Sequence, residues 1–493
     1  MTTDPSTVEK KTLEEAEREC LEYHHNGQDQ KDNESSKPPP EEEIRVPAIW
    51  AIEAYPPTFI ENLWSGLDRL GVLKTKRSDG VCNFLENIRT KALGGGSVNL
   101  DPIVRGKKYL FHGVSGPLPD GVAEIRLSIY QLIPSTTILI CQFYLQGDPV
   151  SSVEAALKAD YSTYSIKTGS SVSFIDVDRQ KEEAVAVARE QNYETCQNWV
   201  KEHLPGYFSS DKSSFSIPTC DLITFKQYDP FAAEKQKKWG LCKSYIGILG
   251  LDSEYYLWGC DDLQGLCLQV DNPKDKFPNR ITLTGKIDNI LSNVDIKSYG
   301  QDLESQLMNW IRYLDHTLAT WCIHVLAIDV EKQLLITRDL YGSVDISTPE
   351  KAIDSLFEID HFYSFLQRNL VPFANDLKKY CNREHSFMHE IYEFKPIKDR
   401  KYNCELFENY RKILIMRAAE LISIETQINS TASRLGQTIS TISNDKLARS
   451  NLKLQKQVAI MSFAVLLLTI VQVCYLFKDN SAAIKIINKL LGN

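Results

Sequence analysis

Val458-Ala-Ile-Met-Ser-Phe-Ala-Val-Leu-Leu-Leu-Thr-Ile-Val-Gln-Val-Cys-Tyr-Leu-Phe477 is a run of twenty residues without a charged side chain. At a helical rise of ~1.5 Å per residue it reaches ~30 Å, the thickness of a bilayer's hydrocarbon core. Core helices of soluble proteins keep a polar face over such a length. This run keeps none, from Val458 through Leu466, Leu467 and Leu468 to Phe477. Lys453 and Lys456 precede it, Lys478 follows it, and Tyr475 sits at interfacial depth. The run therefore predicts a transmembrane helix over 458–477, with a lipid bilayer as the chain's first partner. Thr469 and Gln472 are its polar members. An amide in hydrocarbon seeks a partner, so Gln472 reads either as a contact between the spans of two copies or as a lipid-tolerated side chain close to the interface. In the tail 478–493, Ile484, Ile487, Leu490 and Leu491 fall on one side of a short helix and Lys485 and Lys489 on the other. That pattern suits the headgroup layer.

Upstream, Phe407, Leu414, Leu421, Ile428, Leu435 and Ile442 recur every seven residues. Ile424, Thr431 and Thr438 follow three further on and form a weaker, polar seam. The repeat predicts a long heptad-bearing helical stalk over 404–457, a coiled coil in character. Its narrow apolar stripe needs a partner: a second copy, giving a homo-oligomer through stalk and span, or a helix of the same chain such as Ala352–Leu370.

The region 44–298 reads as a mixed α/β or α+β head, antiparallel hairpins with flanking helices. Val46 to Ile52 opens it as a strand. Thr58 and Glu61 have the spacing of a capping box, and Gly71 closes the helix they start. Ile125, Leu127 and Ile129 alternate with Arg126 and Ser128, predicting a hairpin across Pro134-Ser135 with a return strand from Thr137 to Leu145. Ser151 and Glu154 predict a second capped helix, and a long one runs from about Asp178 to His203. Tyr255–Trp258 and Leu266–Val270 form a second hairpin around Asp261–Gly265, and Arg280–Thr284 is one more strand. The region 299–403 is mainly helical by the spacing of Leu303, Leu307, Trp310, Ile311 and Leu314. A strand-like interlude falls at Leu334–Thr337, and helix resumes at Thr348-Pro349-Glu350.

Of the formal net charge of −9, residues 1–43 carry −8, thirteen acids against five bases; the other 450 residues carry −1. A near-neutral body excludes general nucleic-acid affinity, which needs a basic surface. Residues 1–43 read as an acidic disordered tail, since such a stretch buries too little apolar area to offset its ordering entropy. Its Ser6/Glu9 pair marks a short helix from about Thr7. The first twenty residues lack the apolar core of a secretory signal. The twelve cysteines include no CxxC pair, the usage of a reducing compartment. Together with four cations before the span (Lys446, Arg449, Lys453, Lys456) against three after it, this places the head in the cytosol and the short C-terminal tail on the far side.

Catalytic motifs are thin. Cys381, His385 and His389 share a helix face at i, i+4, i+8, so a pair of them suits zinc, but a straight helix spreads all three over ~12 Å. Lys167-Thr168-Gly169 and Ser209-x-x-Lys212 occur in the reverse of the serine β-lactamase order, without its Ser-Asp-Asn element. Gly94-Gly95-Gly96 lacks the Lys-Ser/Thr of a phosphate loop. Asp176, Asp178, Glu182 and Glu183 suit a helix start. His112, Asp261, Asp262 and His316 are polar candidates without a shared motif, and no cofactor is indicated.

The leading expectation is a single-pass, membrane-tethered sensor or scaffold that acts by binding and self-association. The order of head, long helix and continuous membrane helix over Thr348–Phe477 resembles the arrangement of CorA-type magnesium channels, which implies a divergent cation-transporter relative. That family carries a Gly-Met-Asn loop and a second span after the first. Here Lys478-Asp479-Asn480 follows instead, and Met308-Asn309 lies far upstream. A tethered enzyme is the third class, to be recognised by convergence of polar candidates in one pocket.

Overall fold

A computed structural model describes residues 13–74, 83, 87, 96–105, 113–168, 171–229, 243–251, 257–260, 266–270, 279–292, 314–381, 394–396, 405–476, 485, 488 and 489. In chain order the elements are α1 (Leu13–Tyr23), α2 (Asp29–Ser36), β1 (Ile44–Tyr55), α3 (Ile60–Arg69), β2 (Gly96–Asn99), β3 (Ile103–Val104), β4 (Val114–Ser115), β5 (Val122–Ile133) and β6 (Thr136–Leu145). There follow α4 (Asp148–Lys158), β7 (Tyr164–Thr168), β8 (Ser171–Ile175), α5 (Val177–His203), β9 (Thr219–Phe225), α6 (Lys243–Ile248), β10 (Leu257–Cys260), β11 (Leu266–Gln269) and β12 (Arg280–Lys286). Next come α7 (Ile287–Ser292), α8 (Asp315–Gly342), α9 (Pro349–Cys381), β13 (Phe394–Pro396) and α10 (Leu406–Leu476). The chain divides into two units, Met1–Leu335 with Ser364–Ser423, and Ile336–Tyr363 with Ile424–Asn493.

The first unit is built on a sheet with strand order β13-β10-β11-β12-β9-β1-β6-β5-β3-β4, with β2 also paired to β5. Both expected hairpins are present. Leu127 faces Cys141 across β5–β6, and Trp258 faces Leu268 across β10–β11, whose turn at Asp261–Gly265 lies outside the described residues. The sheet is mixed rather than purely antiparallel, which corrects the expectation of antiparallel hairpins alone: β12 runs parallel to β9, Ile281 beside Cys220, and β3 runs parallel to β4. β1 extends to twelve residues through Pro47 because the β1–β9 register shifts between Arg45 and Ala48, a bulge at which a missing N–H costs no ladder bond.

The alternation in β5 predicts one wet face, yet β6 is buried at every position and Ser128 is buried too. Both faces are covered. Helices α4 and α5 pack on β1. On β5–β6, His316 of α8 stacks edge-on against Tyr130, and Asp376 of α9 accepts the Ser135 N–H at 2.7 Å.

Local signals are partly overridden. Thr58 does not cap α3; its hydroxyl and N–H both go to Asn369 Oδ1, at 3.1 and 3.3 Å. Gly71 does close that helix region, with φ +75°. α4 starts at Asp148 after Gly147, upstream of the Ser151/Glu154 pair. α5 is capped by Asp176, which accepts the Arg179 N–H at 2.9 Å. The strand-like run Leu334–Thr337 lies inside α8, where Leu334, Thr337 and Tyr341 are buried at spacings of three and four. A short apolar run does not distinguish strand from buried helix, and packing decided for helix. The Leu303, Leu307, Trp310 and Ile311 periodicity lies outside the described residues.

The tail reading narrows. Residues 13–36 are helical and docked on the head: Asp29 accepts the Thr163 N–H and hydroxyl at 2.9 and 2.6 Å, and buried Lys181 donates to Ser36 Oγ at 3.0 Å. Buried Glu42 accepts the N–H groups of Lys226, Gln227 and Tyr228. Polar bonds to the head, not apolar area, order this acidic stretch. Residues 1–12, with the Ser6/Glu9 pair, lie outside the described residues.

Candidate functional site

Helix α10 carries the features on which the sequence reading turns. It runs 71 residues without a break, so stalk and apolar run belong to one helix. Its first turns are packed. Leu406, Tyr410, Leu414, Ala418 and Leu421 are buried, four, four, four and three residues apart. Tyr410 lies against the His324 ring of α8 at 5.1 Å, and Arg417 pairs with Glu331. In the second unit Ile428 and Ile439 are buried, Tyr363 of α9 donates to Asn429 Oδ1 at 3.0 Å, and Tyr341 donates to Asp360.

Of the expected seam, Leu414, Leu421 and Ile428 are buried within the chain, and Leu435 and Ile442 are half-buried. The side chain of Phe407 is outside the description. The second seam is displaced: Tyr410 and Ala418 fill it, while Thr431 and Thr438 turn their hydroxyls to Gln427 O and Arg434 O of their own helix. Over these turns the stripe is covered by helices of the same chain, one of the two partners the heptad called for.

From Asn444 to Tyr475 every residue of α10 is exposed. Among the described residues this is the one helix long and apolar enough to cross a membrane. Phe463 and Leu468 are 63% and 64% exposed, and soluble proteins rarely leave so long a run of large apolar side chains bare. Val458, Leu466, Leu467 and Gln472 lie in this run; Phe477 is outside the described residues. Thr469 is satisfied by Val465 O at 2.8 Å within the helix. Between the packed turns and the span lies a bare polar stretch, 444–457, ~21 Å long.

A groove in the second unit opens between α9 and α10, with Ile353, Leu356 and Phe357 on one side and Gly436, Ile439 and Ser440 on the other. Phe357 is 75% exposed, and open space lies above Gly436.

The first unit holds several buried ionisable groups. Glu53, in β1, accepts the N–H groups of Ala54 and Phe208 on Oε1 at 2.9 and 2.7 Å and that of Ser209 on Oε2 at 3.0 Å. Burial pushes its carboxyl up to about 7 against the pull of those bonds. Gly206 is required there, since a Cβ would come within 2.5 Å of Glu53 Cγ. Asp329 of α8 accepts from Ser213 Oγ at 2.8 Å, the Ser214 N–H at 3.0 Å and the Ser214 hydroxyl. Arg189 of α5 grips Asp221 of β9 through two bonds of 2.9 Å and donates to Thr282 of β12. Burial and neighbouring Arg417 push the His324 imidazole down to about 4, so it is neutral in the fold. Each of these acids and the arginine spends its polarity on backbone or side-chain partners, the work of structural struts.

Of the sequence candidates, Cys381 ends α9, whereas His385 and His389 lie outside the described residues, as do His112, Asp261 and Asp262. His316 packs against Tyr130. Cys141, Cys196, Cys220, Cys260, Cys267 and Cys322 are buried free thiols. Sequence reasoning passed over Glu53, although a lone acid in the apolar run Ile52-Glu53-Ala54 was a signal. It also passed over His24, Asp29 and Asp32, whose side chains meet. No protein-family model matches the chain, and no curated protein matches it.

Proposed function

We propose that this chain is a single-pass membrane protein whose sheet-rich head acts by binding, as a tethered sensor or scaffold. One observation carries the reading: a helix packed through its first turns continues, without a break, as an entirely exposed apolar run of bilayer length. Tethering raises the effective concentration of whatever the head binds at the membrane without any catalysis. The buried free thiols and the four-to-three excess of cations ahead of the span support a head on the cytosolic side. The open groove beside Gly436 supports association between copies as the second part of the activity.

The test pairs membrane retention with mass. Full-length chain is expected to stay in the membrane fraction after an alkaline wash. Leu466→Arg with Leu468→Arg is expected to release it, since each change costs insertion roughly 3–4 kcal/mol. Retention of the double variant sinks the tether. In mild detergent a defined oligomer of the full chain supports self-association; a monomer removes that part and leaves the anchor.

A further inference from the structure

We propose that His24, Asp29 and Asp32 form a divalent-metal site, suited to zinc, that clasps the N-terminal helix pair onto the head. The backbone brings the three together. Between α1 and α2 the chain makes one π-helical turn, His24–Gln28, in which Asn26 and Gly27 leave helical geometry and Gly27 takes φ +119°. In a regular helix, residues five apart point ~140° away from each other. The kink instead sets His24 Nδ1 3.5 Å from Asp29 Oδ1. Asp32, three residues beyond Asp29, shares its face. One ligand atom from each of the three lies within 4.8 Å of the others. Tetrahedral zinc with bonds of ~2.1 Å sets its ligands ~3.4 Å apart, so the His24–Asp29 pair is already at that spacing and Asp32 needs a small side-chain rotation.

Two further observations point to a ligand. His24 Nδ1 is shut off from solvent and makes no hydrogen bond closer than its 3.5 Å approach to Asp29 Oδ1, so a group such as an ion is wanted between the two. Asp29 is 7% exposed and is held by Thr163 through both oxygens, as outer-sphere donors orient a metal-binding carboxylate. Each oxygen keeps a lone pair for an ion. Two carboxylates and a neutral imidazole balance a dication and leave a fourth position for water; His25 does not fill it, since its Nε2 lies 3.0 Å from the Thr163 carbonyl, to which it donates.

Because Thr163 belongs to the head, the site is complete only when the helix pair is docked. Metal binding and docking are therefore linked, each strengthening the other. The pair's other ties are polar as well: Glu17 with Lys167 at 2.9 Å and with the Ser165 hydroxyl, His25 with the Thr163 carbonyl at 3.0 Å, Asn33 with the Tyr161 backbone, and Lys181 with Ser36 and the Asn33 carbonyl.

The experiment uses full-length protein in mild detergent, stripped with a chelator and titrated with zinc against a chromophoric competitor, with amide hydrogen exchange read over 18–36. The expected result is a site whose affinity falls at least ~10-fold in His24→Ala and in Asp32→Asn and is unchanged in His385→Ala/His389→Ala. Exchange over 24–36 is expected to slow on adding zinc. Asp32→Asn keeps the oxygen that accepts from Gln28 at 2.7 Å, so it separates loss of a ligand from loss of fold. No zinc binding, binding untouched by either His24→Ala or Asp32→Asn, or binding lost only with His385 and His389 overturns the proposal.

Discussion

Replacing Glu53 by Gln isolates a wholly buried carboxylate in the middle of β1. Glu53 is wholly buried, so burial opposes its charge, while three backbone N–H groups favour it. The result is a carboxyl titrating at about 7, against 4.5 for the free side chain. Between these values the folded protein keeps a proton that the unfolded chain has released. The stability Glu53 contributes is therefore fully present below pH ~4.5 and is lost as pH rises through ~7. At ~1.4 kcal/mol per unit, the 2.5-unit gap is worth roughly 3 kcal/mol. Gln does not titrate. Its amide sets an NH2 against the Ser209 N–H, which gives the variant a fixed, pH-independent penalty. Relative to wild type, Glu53→Gln is therefore expected to gain roughly 3 kcal/mol between pH 4.5 and pH 8. Urea unfolding of the full chain in detergent, followed by tryptophan emission (Trp50 is buried in the same strand), reads this at several pH values. A stability difference that stays flat across that range means that burial does not hold a proton on Glu53, and refutes the prediction.

Three further outcomes are expected. Asp221→Ala removes the carboxylate paired with the Arg189 guanidinium, whose side chain is 15% exposed, and is expected to cost roughly 3–5 kcal/mol, seen as faster hydrogen exchange in β9 and β12; adding Arg189→Met is expected to restore most of it. His324 runs opposite to Glu53: its folded value near 4 lies below the ordinary 6.5, so its contribution is present above pH ~6.5 and lost as pH falls toward 4. His324→Gln is expected to flatten that acid limb in thermal melts from pH 7 to 4.5, and an unchanged limb refutes the assignment of the response to His324. Asp329→Ala leaves the Ser214 N–H without its acceptor and is expected to expose 209–217 to limited proteolysis at a cost of about 1–3 kcal/mol.

Much of the secondary structure was legible because its signals are local. Strand alternation announced β5 and β6, Pro349 opened α9, and Gly71 closed the α3 region. Caps were less legible. Thr58 has a capping residue's chemistry, but Asn369, more than three hundred positions away, competes for the same hydroxyl and wins. The polar nodes were hidden for the same reason: Asp329 and Ser214, or Asp29 and Thr163, are ordinary polar residues until the fold brings them into contact.

The sequence by itself determined the long apolar run and the heptad ahead of it, because each depends only on spacing along one helix. It also set the two main hairpins, whose strands are neighbours in the chain. Tertiary structure alone decided the parallel β9–β12 pairing, the coverage of both sheet faces, the helical state of Leu334–Thr337 and the docking of residues 13–36. Each of those rests on contacts between residues far apart in sequence, whose energy no local pattern records. The stalk shows both at once: periodicity marked Leu414, Leu421 and Ile428 as an apolar seam, and only the packed chain showed that its own helices cover it.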